Sequence, residues 1–252
     1  MEDTNTSLSL SVEQTPGKIN KRNVSEFVVN NVDYITIPHL ATNSFKLSSK
    51  AVSQLSDVHG VDPRRVIPHV SARSLTSKKE LTETIKSLKD LGVERLLIVG
   101  GNPTYPRGPY DNAEEVRLRV REIGKFKTHC GVYPDTESAS GVYLYKYEHF
   151  DGGFSQLCLS PSRLDSFKPL TRIGVPSQAD LDGLWRYMKI CGVGPSLRYP
   201  LRNIVGLVRY MTLSGGFDTT KLVRDVQPHS NFHIYDFGLI EKTVEDLLSL
   251  DV

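Results

Sequence analysis

The chain has 252 residues, 38% hydrophobic and 24% charged, with a formal net charge of +2. A balance so near neutrality offers no basic excess for nucleic acid, and no apolar run approaches the roughly twenty residues of a membrane span. Cys130, Cys158 and Cys191 are odd in number and lack CxxC spacing, which argues against a disulfide framework or a zinc cluster and for a reducing cytoplasm.

The opening MEDTNTSLSLSVEQ is acidic and polar, unlike a secretory signal, so residues 1–6 are expected to be a disordered tail. Residues 8–12 alternate apolar and polar and end at Glu13, which predicts a first strand. Pro16-Gly17 reads as a turn, and 24–29 as a short helix. A second strand is expected over 32–37, followed by HLATNS and a helix over 47–58 capped near Asn43 or Ser44. Residues 66–70 form a strand-like apolar run. Leu81, Ile85, Leu88 and Leu91 then recur three or four apart, as on one buried helical stripe. Residues 96–99 are apolar on both faces and glycine-stopped, as in a buried parallel strand. This strand–helix–strand passage predicts a right-handed βαβ unit.

The loop GGNPTYPRGPYDN is long and rich in Pro and Gly, a pattern that suggests function. A helix over 113–123, with Val116 and Val120 inward, precedes a strand over 126–133. Residues 143–150 read as helix, 154–159 as strand six and 170–175 as strand seven. A helix over 179–191 holds the single tryptophan, Trp185. Helices over 201–213 and 219–226 read as an insertion. Strand eight is expected over 232–235 and a last helix over 239–250. Eight strands alternating with helices, without a linker, predict a single (β/α)8 barrel over 7–252. An open doubly wound sheet is second, but no GxGxxG follows a first strand.

In a barrel, chemistry gathers at the C-terminal strand ends. The residues expected there are Glu13, His39 or Thr42, His69, Asn102, Tyr133 with Asp135, Gln156, Pro176 and Tyr235. They lack the carboxylates of a magnesium site, and no HxxxH or HxH pair suggests zinc. Glu13 is a candidate acid, but it is also a residue type usually solvated. His69 could simply hydrogen-bond backbone. Tyr133 and Tyr235 suit barrel packing as well as ligand stacking. Gln156, between Phe154 and Leu157 on an expected buried strand, needs partners for its amide.

Together these segments resemble the methylenetetrahydrofolate reductase family. SLSVEQTPGK at 9–18 is similar to that family's first strand, with its catalytic glutamate and proline turn. IPHVSARS at 67–74 resembles its third strand and LGVERLLIVGGNP at 91–103 its fourth. GVYPD at 131–135, DGGFSQLCLS at 151–160, IGVPS at 173–177 and NFHIYDF at 231–237 resemble strands five to eight. The resemblance implies a (β/α)8 barrel that reduces 5,10-methylenetetrahydrofolate to 5-methyltetrahydrofolate with NAD(P)H, through FAD in most members. It implies Glu13 as general acid, and Gln156, Asn102 and Tyr235 as substrate-binding. It implies His69, Asn102, Tyr133, Asp135 and Thr42 as cofactor-binding.

The family's Arg-Gly-Asp at the end of strand four is replaced here by Gly100-Gly101-Asn102, and Thr136-Glu137-Ser138 follows the tyrosine motif where a histidine is usual. Both departures remove flavin contacts, so direct hydride transfer from nicotinamide stands beside transfer through FAD. Other readings are a tetrahydrofolate-linked demethylation enzyme and a non-catalytic folate-binding subunit. The expected partners are small molecules, with no metal, nucleic acid or membrane. A homo-oligomer is compatible with the sequence.

Overall fold

A computed structural model describes residues 8–21, 23–40, 44–101, 108–133, 141–157, 159, 171–178, 209–210, 217–226 and 231–250, with side chains from residue 145 onward in the helix that starts at 141. Thr42, Asn102 and Asp135 lie outside these residues, as do the expected Trp185 helix and nearly all of 201–213.

The strands are β1 (Ser9–Glu13), β2 (Tyr34–Ile37), β3 (Val66–Ser71), β4 (Arg95–Val99), β5 (Lys127–Val132), β6 (Gly152–Ser155), β7 (Thr171–Pro176) and β8 (Asn231–Tyr235). Neighbours follow chain order, and the eight strands close into a barrel. Where registers are resolved the pairings are parallel, as between Val66–Ser71 and its neighbours on both sides. The expected (β/α)8 barrel is therefore the fold. The described helices are α1 (Pro16–Asn20), α2 (Glu26–Asn31), α3 (Lys46–His59), α4 (Lys78–Asp90), α5 (Ala113–Ile123), α6 (Gly141–His149), α7 (Thr219–Asp225) and α8 (Ile240–Leu248).

Two compact units divide the chain. The first comprises Met1–Val12, Val132–Leu144 and Phe154–Val252; the second comprises Glu13–Gly131 and Tyr145–Gly153. In the second unit every residue of β3 is buried, which is why its sequence shows no clean alternation. Helix α4 starts at Ser77, whose hydroxyl accepts from Glu80 N at 3.0 Å. Its Leu81, Ile85 and Leu88 are fully buried, each worth about 1.5–3 kcal/mol relative to exposure. Leu91 is instead the C-cap residue and only half-buried. Arg65 donates to the carbonyls of Val29 (2.7 Å), Val32 and Asp33, satisfying the C-terminal end of α2.

In the first unit β1 pairs with β8 and β8 with β7. Helix α7 is tied to the end of β7, where Thr219 Oγ1 donates to Pro176 O at 2.7 Å. Ile240, Val244 and Leu247 form the buried face of α8.

Several local expectations need correction. Pro16-Gly17 opens helix α1, because Thr15 caps it and Pro16 occupies the first turn, where a missing N–H costs nothing. Helix α3 takes Phe45 as its N-cap residue, and Phe45 has no capping side chain. Ser44 Oγ instead accepts from Lys46 N at 3.3 Å, and Phe45 N donates to the carboxylate of Glu80 at 2.9 Å. Strand six ends at Ser155, so Gln156 lies beyond it and is half-buried. The demand that a buried strand places on an amide therefore does not apply to Gln156. Phe154 and Leu157 are both buried, and these apolar residues on either side of Ser155-Gln156 hid the strand end in the sequence.

Candidate functional site

The polar residues at the strand ends fall into two clusters, one in each unit. In the second unit, Glu13 ends β1 and is half-buried. The next residue, Gln14, is buried and donates its backbone N–H to Thr36 O at 2.9 Å. That bond fixes the chain direction at the carboxylate.

His39 and His69 are both buried in this cluster. His39 Nδ1 accepts the backbone N–H of Ser71 at 3.2 Å, and its ring stacks on Phe45 with centroids 5.3 Å apart. An imidazole that accepts through Nδ1 cannot be protonated there, so its hydrogen belongs on Nε2. Burial pushes His69 down to about 3, and the neighbouring His39 adds to the shift. His69 is therefore neutral at physiological pH. No described group hydrogen-bonds its buried Nε2. A neutral imidazole with an unmatched nitrogen can give or take one hydrogen bond from a ligand.

The end of β4 packs on the 3-10 turn Ala72–Ser74 that follows β3. Arg73 N donates to Gly100 O at 3.2 Å, and Ser71 Oγ lies 2.8 Å from Ser74 Oγ. Gly101 has φ +87°, and a Cβ there would come 2.5 Å from Ser71 Oγ. Only glycine fits both the conformation and the space. Gly100 differs, since a Cβ there would meet nothing within 4 Å.

In the first unit, Ser11 and His233 are register partners. Ser11 Oγ lies 3.1 Å from His233 Nδ1 and donates to Phe232 O at 3.2 Å. The His233 ring meets Phe154 and Tyr235 edge-on, at centroid distances of 5.2 and 4.7 Å. Tyr235 OH donates to Ser155 O at 3.0 Å. Gly174 makes that approach feasible: a Cβ would come 2.4 Å from Ser155 O and 2.7 Å from Tyr235 Cε2. Gln156 N donates to Val132 O at 2.8 Å, which places it beside the residue preceding Tyr133. The fold thus gathers Tyr133, Gln156 and Tyr235 in one unit, and Glu13 and His69 in the other.

A flavin dinucleotide needs partners for its diphosphate charge. Gly100 brings no side chain where the resembled family has arginine. His69 is neutral, and Tyr133 is an uncharged, half-buried ring. Arg73, whose backbone N–H donates to Gly100 O at 3.2 Å, keeps a cation beside the end of β4.

Glu80 escaped the sequence reading, where it merged with the charged face of α4. Ser77-Lys78-Lys79-Glu80 has the spacing of a capping box, which would have flagged the residue. The nearness of His39 to His69 had no local signal, because one imidazole follows β2 and the other lies within β3.

Among the described residues no helix is long and apolar enough to cross a membrane. No group of three or more His, Cys, Asp or Glu among them could hold a metal ion. No protein-family model matches the chain, and no curated protein matches it. Solved structures do resemble it. A mandelate racemase/muconate lactonizing enzyme from Bordetella bronchiseptica has TM-score 0.47 at 8% identity, over 92% of this chain and 53% of that one. The chain thus spans about half that enzyme's length. A dihydrodipicolinate synthase from Agrobacterium tumefaciens has TM-score 0.48 at 12% identity, over 96% of this chain and 74% of that one. The GH18 chitinase ChiB from Flavobacterium johnsoniae has TM-score 0.47 at 10% identity, over 96% and 93%. Likenesses this distant assign no activity to the chain.

Proposed function

We propose that the protein is a folate-dependent oxidoreductase that reduces 5,10-methylenetetrahydrofolate to 5-methyltetrahydrofolate with NAD(P)H. The reading rests on the family resemblance. Its main support is that Glu13, His69, Tyr133, Gln156 and Tyr235, five residues drawn from that resemblance, each lie within the last three residues of a strand or just after one. That is the edge at which barrel enzymes place their chemistry.

The chemistry accounts for the residue types. The five-membered folate ring opens when N10 accepts a proton and the C–N10 bond breaks, leaving a 5-iminium cation. Glu13 is assigned that proton. Hydride from the reduced nicotinamide then adds to the iminium carbon, giving the 5-methyl group and oxidised nicotinamide. Gln156 is assigned the pterin edge, to which an amide can both donate and accept. His69 contributes a neutral hydrogen bond, which avoids placing a like charge near the iminium. Direct transfer from nicotinamide stands beside transfer through FAD, because Gly100 replaces the family's arginine while Arg73 lies at the end of β4.

The test is to purify the protein, record its visible spectrum and assay it with NADH or NADPH. Oxidation of the nicotinamide only when methylenetetrahydrofolate is present is the expected result. No folate-dependent oxidation with either nicotinamide, with or without added FAD, overturns the reading. A second reading, a folate-binding protein without catalysis, is favoured by the missing charge at Asn102, and retained folate binding in an inactive protein would select it.

A further inference from the structure

We propose that Glu80 is a positioning residue for the imidazole pair His39 and His69, acting through Phe45. Glu80 is buried, yet its carboxylate is fully engaged. Oε1 accepts from Ser44 Oγ at 2.6 Å and Phe45 N at 2.9 Å. Oε2 accepts from Thr76 N at 2.8 Å and Thr76 Oγ1 at 2.7 Å. Ser44 and Phe45 lead into α3, and Thr76 leads into α4. One carboxylate therefore ties together the segments that follow β2 and β3.

The connections form a closed circuit. Glu80 holds Phe45 by its backbone. The Phe45 ring, with no exposed surface, stacks on His39. His39 Nδ1 takes the N–H of Ser71 at 3.2 Å, and the turn Ala72–Ser74 leads back to Thr76 and Glu80. His39 in turn lies close enough to His69 to disfavour its protonation. The Phe45–Glu80 and Ser71–His39 bonds are buried, so displacing Phe45 moves the ring that sets His39. Burial alone would raise the Glu80 pKa, but hydrogen bonds from Ser44, Thr76 and Phe45 outweigh it and lower the pKa. The carboxylate is thus the ionised acceptor the circuit requires. A helix-capping role alone would have ended at Thr76 and Ser77. The two bonds to the α3 side are what extend the effect to His39.

Glu80→Gln keeps length and shape but replaces one oxygen with an amide nitrogen. One pair of donors then faces another donor. The measurement uses ligand-free protein: amide exchange at Ser71 and ¹⁵N signals of the His39 and His69 rings. The expected result is an increase of about tenfold in Ser71 exchange, the scale of one weakened hydrogen bond. The His39 ring signals should move from a single tautomer toward a mixture. The β3–β4 ladder amides should exchange as in the parent. A folded Glu80→Gln protein with parental Ser71 exchange and parental ring signals overturns the proposal. If Glu80→Gln does not fold, the double variant Ser44→Ala, Thr76→Val removes two of the four bonds and leaves the charge. A rise of about threefold at Ser71 then supports the proposal, and no change overturns it. The significance of this circuit for turnover rests on the folate reading. The exchange and ring measurements need no folate, so either idea can fail while the other stands.

Discussion

Ser71, at the end of β3, donates its backbone N–H to Nδ1 of His39 just past β2, and this bond sets the tautomer of the imidazole beside His69. His69, beside it, ionises only near pH 3 in the folded protein because burial and His39 both oppose its charge. Its ordinary value is 6.5. Between those values the unfolded chain binds a proton that the folded chain refuses. Stability is therefore full above pH 6.5 and declines as pH falls toward 3. One such proton gives a slope of about 1.4 kcal/mol per pH unit. Unfolding free energies from urea titrations should level off near pH 7 and approach that slope between pH 6 and 5, above the usual carboxylate range. His69→Gln should flatten it by about one proton.

Glu13→Gln preserves shape and removes the proton. Turnover should fall by roughly 10²–10⁴-fold, the usual scale for general acid catalysis. Folate affinity should be largely retained, as read by titration of the inactive variant. Parental turnover would remove Glu13 from the mechanism.

Gln156 sits just past β6 with its backbone held by Val132 O at 2.8 Å. Truncation to alanine should leave that backbone in place and remove only the amide. Folate binding should weaken by about 1–3 kcal/mol, with nicotinamide binding nearly unchanged. Equal losses for both ligands would indicate a fault in the fold.

Gly100 has open space where a Cβ would be, and its φ is not among those that exclude side chains. Gly100→Arg should therefore fold with parental stability. If a missing cation is what disfavours flavin, the variant should gain FAD affinity by about tenfold or more, as one charge-assisted contact would give. Fluorescence titration of FAD against parent and variant decides it. Gly101→Ala is the contrasting case. It should destabilise the protein, because its Cβ would meet Ser71 Oγ at 2.5 Å and its φ is +87°.

The barrel was legible in the sequence because parallel strands buried on both faces leave apolar runs, such as Leu96–Val99 inside β4 and Val66–Val70 inside β3. Boundaries were less legible where apolar residues continue past the last ladder bond, as Leu157 does after Ser155. Helix α1 was hidden because Pro16 serves turns and helix starts equally well. The strand-end residues could be named singly from the sequence. Their relations could not, since they depend on register and on buried groups distant in sequence. Ser11 and His233 meet only because β1 closes on β8. Glu80 reaches Phe45 across 35 residues.

Gly174 has a further consequence for binding. The Tyr235 ring rests where a Cβ would otherwise stand, and its hydroxyl is anchored to Ser155 O at 3.0 Å. The phenol is thereby held in place before any ligand arrives. A side chain ordered in this way loses its freedom on folding and not on binding, where immobilising a mobile one costs about 0.5–1.5 kcal/mol. Any planar ligand that reaches the Tyr235 ring would meet a fixed wall, and selectivity there would come from shape, with little scope for adjustment.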